Sequence, residues 1–179
     1  MSTLVVKRLT RGALLAGLVL GLALPAIAAG GDTWITTKAK IALLTADGVK
    51  GRDVNVDTVD GTVTIHGKVR TEAEKSKAES VVKEIDGVKG VRNLLQVVPE
   101  TRREAVKAAD SEIKSKVEAA IKDDPALKGE DVKVASVNKG VVLLSGKTKN
   151  LDHKLRAIEC AAKVEGVERV ATEIKTEQP

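Results

Sequence analysis

Two stretches of the chain alternate apolar and polar residues, and each is bracketed by segments whose apolar residues recur at helical spacing. Val54 and Val56 open the first alternating stretch, which turns at Asp60-Gly61. It resumes with Val63, Ile65 and Val69 on one face and Thr62, Thr64, His66 and Lys68 on the other. This period of two predicts a half-buried hairpin. Asp-Gly suits both central positions of a tight turn, which need positive φ. Before it, Ile35, Ala39, Ala42 and Leu43 share one face of a helix running to about Leu44, with Asp32 or Thr33 as the expected cap. After it, Ala78, Val81, Val82 and Ile85 mark a second helix. Thr71 and Glu74 predict a capping box at its start and Gly87 a C-cap at its end. Val91 to Val98 reads as a last strand stopped by Pro99.

The chain then repeats this order. Asp53-Val54-Asn55-Val56 returns as Asp131-Val132-Lys133-Val134, 78 positions on, and Gly67 returns as Gly146, 79 positions on. The change of spacing predicts one extra residue in the second turn. Gly87-Val88-Lys89-Gly90-Val91 returns as Gly166-Val167-Glu168-Arg169-Val170. Internal repetition of this kind means tandem modules. The expected domains are 32–98 and 110–176, joined by a polar linker over 99–109. In the second copy Asp110 or Ser111 caps a helix carrying Ile113, Val117, Ala120 and Ile121, which Pro125 ends. Asn150 takes the capping place of Thr71. With helix, strand, strand, helix, strand in each copy, the economical packing lays both helices on one face of a small sheet. The fold class expected is α+β: two tandem αββαβ modules, each a three-stranded mixed sheet.

The outward positions Thr62 and Thr64 of the first copy become Val141 and Leu143 in the second, so that strand is apolar on both faces. The outer sheet face of the second module should therefore be covered, by the first module or by a partner chain. A strand end capped locally by the linker is the plainer reading.

The first 28 residues read as a cleaved signal peptide. Lys7, Arg8 and Arg11 precede an apolar run from Gly12 to Leu24, and Ala26-Ile27-Ala28 supplies the small-x-small cleavage pattern. The mature chain should be exported to a bacterial periplasm. Loss of those three basic residues lowers the net charge from +5 to +2. The remaining charges are interspersed, with no Lys/Arg block suited to nucleic acid. One Cys excludes an internal disulfide, and Trp34 is the sole aromatic residue, so the cores must be built from Val, Ile, Leu and Ala.

Few groups could carry chemistry. His66 and His153 lack a Cys or second His at ligand spacing, so neither metal nor cofactor is expected. Cys160 matches Val81, a core position, and reads as a small buried hydrophobe rather than a catalytic thiol. Asp53 and Asp131 read as turn residues bonding nearby backbone. No nucleophile-base constellation is present, and neither an enzyme nor a small-molecule substrate is expected. Trp34, on a helix with Lys38 and Lys40, could enter a bilayer interface or close one end of the core.

The ordered motifs resemble the BON domain: Asp-Val-x-Val, a Gly turn, Val-x-Ile/Leu-x-Gly, an Ala-containing helix and Gly-Val-x-x-Val, occurring twice over nearly all of the mature chain. The resemblance implies an αββαβ fold, a periplasmic location and a role in envelope integrity under osmotic or other stress, with no catalytic residues. It also implies either weak association with phospholipid surfaces or chaperoning of unfolded envelope proteins. The helix it implies for lipid contact, Ser111 to Lys122, has no aromatic residue here. The candidate contact residues are thus Trp34 and Lys38 for a membrane, and Val141 and Leu143 for a polypeptide partner.

Overall fold

The computed structural model describes residues 28–177, so nearly all of the expected signal peptide lies outside the described residues. Module 1 runs α1 (Ala28–Thr45), β1 (Val54–Val59), β2 (Thr62–Val69), α2 (Glu72–Lys83) and β3 (Gly90–Val97). Module 2 runs α3 (Arg103–Asp123), β4 (Asp131–Asn138), β5 (Val141–Thr148), α4 (Leu151–Ala162), β6 (Arg169–Thr172) and β7 (Lys175–Thr176). The fold is α+β, as the alternation predicts. In each module the central strand pairs antiparallel with its hairpin partner and parallel with the last strand. A parallel pair needs a crossover, and α2 and α4 provide it.

Each module has its own aliphatic core. Ile35, Ala39 and Leu43 of α1 and Ala78 and Val82 of α2 pack on Val54, Val56, Val63 and Ile65. Val117 and Ile121 of α3 and Ala157 and Ala161 of α4 pack likewise on Val134, Val142 and Leu144. Both helices of a module therefore lie on one face of its sheet.

The extra residue of the second copy is not in the turn. Val59 pairs with Thr62 and Asn138 with Val141, so both hairpins close through two residues. Their central positions all have positive φ, at Asp60 and Gly61 and at Lys139 and Gly140. The register shifts between Val134 and Ser136, leaving Ala135 as a β-bulge.

Other local expectations are also revised. Asp32 does not cap α1, which begins at Ala28. Its carboxylate accepts the amides of Asp60 and Gly61, each at 2.8 Å, and so clamps the hairpin turn to the helix. Asp110 does the same in module 2 with the amides of Lys139 and Gly140. The stretch expected as a linker is helical from Arg103, since Arg, Glu, Ala and Lys there are good helix formers. Thr71 and Asn150 do cap α2 and α4, accepting from Glu74 N and His153 N. The capping box is only half formed, because Glu74 accepts from the amides of Arg70 and Lys50 instead of returning to Thr71. Gly87 lies beyond the helix end at Lys83, in a turn closed by Val88 N to the Ile85 carbonyl. Gly67 and Gly146 have positive φ, and a Cβ there would overlap the carbonyl oxygens of Asp53 and Asp131.

Candidate functional site

The outer surface of α1 is the most apolar exposed feature among the described residues. Trp34, Ile41 and Leu44 are 62%, 57% and 56% exposed. Offsets of seven and ten residues place them on one stripe, opposite the face formed by Ile35, Ala39 and Leu43. The helix is apolar on both sides, although only one side has a core to join. Trp34 does not close the core of module 1. Its ring lies 5.8 Å from Lys38 Nζ, which also donates to the Asp86 carbonyl at 2.9 Å. That bond holds the ammonium beside the indole and ties α1 to the end of α2. Ile41 and Leu44 were legible as companions of Trp34 at helical offsets.

Val141 and Leu143 are in a different situation. They are 6% and 1% exposed, yet neither belongs to the core of module 2, because Val142 and Leu144 point that way. They occupy the outer face of β5, and module 1 covers that side. β2 lies against β4, and the buried outer positions of module 1 are Thr64, His66 and Leu94. Lys68 bridges to Asp110 at 2.8 Å, Arg92 donates to the Thr172 carbonyl at 3.0 Å, and Lys175 reaches Asp60 at 3.2 Å. The molecule is thus four layers: helices, sheet, sheet, helices. The structure does not bring Trp34 and Lys38 together with Val141 and Leu143, which are enclosed between the sheets.

The sheet interface also holds charge that the sequence did not reveal. Glu173 stands where the repeat places Leu94 in module 1, beside Thr64, His66, Asp57 and Arg92. Burial pushes its carboxyl above the usual range, opposed by a hydrogen bond with Thr64, and one of its oxygens is buried without a partner. The side chain of His66 is on the outer face, as alternation predicts, but is buried rather than solvated. Its Nε2 lies 2.9 Å from Asp57 Oδ2, while Nδ1 is buried without a partner. The hydrogen bond with His66 holds the Asp57 carboxyl below its usual range.

The remaining titratable groups serve structure. His153 Nδ1 lies 2.7 Å from Glu130, whose other oxygen accepts from the amide of Lys149. This pair does for the start of α4 what Glu74 does for α2. Cys160 is half-buried and its thiol donates to Asp124 at 3.1 Å. Burial and that carboxylate raise its pKa, which makes it a poor nucleophile. Asp53 and Asp131 bond side chains rather than turn backbone: Asp53 pairs with Arg103 at 2.7 Å and Asp131 with Lys133 at 2.8 Å. Among the described residues no cluster of His, Cys, Asp or Glu could hold a metal ion, and no helix is long and apolar enough to cross a membrane.

Comparison with known proteins agrees with this architecture. The BON domain family model matches residues 31–99 and 109–178. The chain is 34% identical over 147 residues to Osmotically-inducible protein Y of Escherichia coli (strain K12), an alignment covering 81% of this chain and 72% of that protein. A solved structure of CdsD, a structural protein of the type III secretion system of Chlamydia trachomatis, matches at a TM-score of 0.33 and 11% identity. It covers 80% of this chain and 92% of that one, a likeness too slight to carry an argument. Two family matches spanning most of the chain, on a repeat visible in both sequence and fold, establish that this chain belongs to the BON-domain family and carries two copies of the domain.

Proposed function

We propose that this chain is a non-enzymatic protein of the bacterial periplasm that supports the cell envelope under osmotic or other stress. It does so by weak association of α1 with phospholipid surfaces. The stripe of Trp34, Ile41 and Leu44, with Lys38 beside the indole, is the observation that carries this reading. The stress role draws on the relative whose name describes it as osmotically inducible. An indole near a cation suits the boundary between headgroups and acyl chains, and amphipathic helices lie in that plane.

The affinity expected is low. Three side chains already two-fifths buried on the protein yield about 3–4 kcal/mol on entering an apolar layer. Lys38 and Lys40 near an anionic surface add about 1 kcal/mol each. The total corresponds to an apparent dissociation constant of roughly 0.1 mM. Such binding weakens with salt, because the lysine contribution is screened.

Co-flotation with anionic and with zwitterionic liposomes tests this reading. The chain should float with anionic vesicles at low salt, and Leu44→Ser with Ile41→Ser should abolish flotation without lowering the melting temperature. Absence of flotation at low salt would defeat it. The alternative, a holding chaperone for outer-membrane or exported proteins, would use the apolar face of β5. Val141 and Leu143 are enclosed there, so that activity would require the two sheets to part.

A further inference from the structure

The chain passes from module 1 to module 2 at one end of the paired sheets. β2 and β3 run parallel and finish together, Val69 beside Val97, and residues 99–102 then lead into α3. Largely buried contacts hold this end: Lys68 bridges to Asp110, and Arg103 pairs with Asp53 and donates to the Lys68 carbonyl at 2.9 Å. Among the described residues no chain crosses at the other end. There Arg92 reaches the Thr172 carbonyl and Lys175 reaches Asp60, both at the surface, where such contacts contribute little. Thr64 and Arg92 stand opposite each other across β2 and β3. At the usual rise per residue they lie about 17 Å before the end of β2. Glu173 of module 2 packs against them.

The groups that act most strongly on Glu173 belong to module 1. Besides Thr64 they are Asp57 of β1, His66 of β2 and Arg92 of β3. From module 2, Lys154 of α4 and Lys175 of β7 share a cleft with Glu173, and Lys175 is paired with Asp60. On its other side Glu173 lines a hollow of about 440 Å³ with Asp57 and with Asp32 and Lys40 of α1. Water in these hollows gives the carboxyl a route for its proton while the sheets stay packed. One Glu173 oxygen and His66 Nδ1 are nonetheless buried without a partner. A carboxylate so placed, near a second carboxylate, is costly, and a proton removes both its charge and the repulsion from Asp57. Burial above all, with Asp57, outweighs Thr64, His66 and Arg92 and holds the carboxyl above its usual range. Parting of the sheets removes both causes, whereas the His66–Asp57 pair lies within module 1 and persists. Closing of the sheets therefore favours proton uptake.

We propose that Glu173 is a proton-operated clasp at the free end of the sheet pair. With the carboxyl protonated the sheets stay closed. Its ionisation favours an open form, hinged at residues 99–102, that bares Leu143 and leaves both cores intact. The pH dependence follows from the direction of the shift. Below the ordinary value of 4.5 the carboxyl is protonated in both forms and acid changes nothing further; as pH rises through the raised value, the closed form loses stability. Opening thus grows with pH over that window and is constant above it. This inference is independent of the α1 stripe, which faces outward from module 1 in either form.

Methyl relaxation dispersion at Leu143, with ¹⁵N relaxation for the tumbling of each module, reads the open population of the whole protein across pH. That population should be lowest and constant in acid, rise as pH climbs above 4.5, and then level off. Glu173→Gln keeps the shape of the side chain without its charge, and should hold the population at the acid level at every pH. Leu144, in the core of module 2, should show no matching exchange. Opening that increases in acid, or a pH dependence that survives Glu173→Gln, overturns the proposal. So does an absence of exchange at Leu143 at every pH. Equal exchange at Leu143 and Leu144 also overturns it, because module 2 would then be unfolding rather than swinging away.

Discussion

Replacing Leu143 with Ala probes the layer between the two sheets without touching either core. The side chain is 1% exposed and lies outside both apolar clusters, so its burial comes from the opposing module. Truncation removes three carbons, worth about 2.4 kcal/mol by transfer alone. The cavity left between two rigid sheets brings the loss to about 3–4 kcal/mol. If the sheets separate instead of holding the cavity open, the loss is capped at the free energy of docking, and the modules then tumble independently. Chemical denaturation followed by Trp34 emission for module 1 and by circular dichroism for both, with ¹⁵N relaxation for tumbling, separates these cases. Leu144→Ala, one residue along in the core of module 2, is the contrast: it should weaken module 2 itself and leave the docked face intact. A change below about 0.5 kcal/mol for Leu143→Ala, with tumbling unaltered, would be the behaviour of a surface position and would refute the four-layer arrangement.

Three further substitutions test individual devices. Glu173→Leu restores the residue that the repeat has at Leu94 and should stabilise the protein at neutral pH by about 1 kcal/mol, low in the usual range because the carboxylate is partly exposed. A carboxyl whose folded pKa is raised costs stability above that pKa and nothing below its ordinary value of 4.5, so the gain should vanish in acid; a gain independent of pH would contradict the assignment. Asp110→Asn leaves Lys68 without its ion pair and weakens the grip on the Lys139-Gly140 turn, costing about 2–4 kcal/mol in urea titration. Gly146→Ala forces a Cβ into the Asp131 carbonyl at positive φ and should cost at least about 2 kcal/mol, whereas Gly129→Ala, with open space around it, should cost less.

Much of this fold is written in local pattern. Alternation through Val54–Val69 and the Asp60-Gly61 turn determine a hairpin with little help from the rest of the chain, and Thr71 and Asn150 cap their helices through bonds three residues long. What the sequence concealed depends on distant partners. Asp32 and Asp110 resemble helix caps in one dimension, but the turn each clamps is some thirty positions away. Spacing alone shows that one residue was added between Asp131 and Gly146. Only the need to keep a two-residue turn places it at Ala135. The repeat with the first copy puts the helix start at Asp110, whereas the run Arg103 to Ala109 favours helix on its own and extends α3 back to Arg103. Val141 and Leu143 announced a covered face through their apolarity, while Glu173 gave no sign of its burial, because a lone Glu near a strand end ordinarily faces water.

The central functional claim is that α1 meets lipid through its outer stripe. Titration of the protein with anionic vesicles containing lipids brominated along the acyl chain tests this most directly, since Trp34 is the only fluorophore. The account predicts quenching and a blue shift of Trp34 emission at low salt, both reversed as salt is raised. Emission unchanged at saturating lipid, from an indole already 62% exposed, would contradict it.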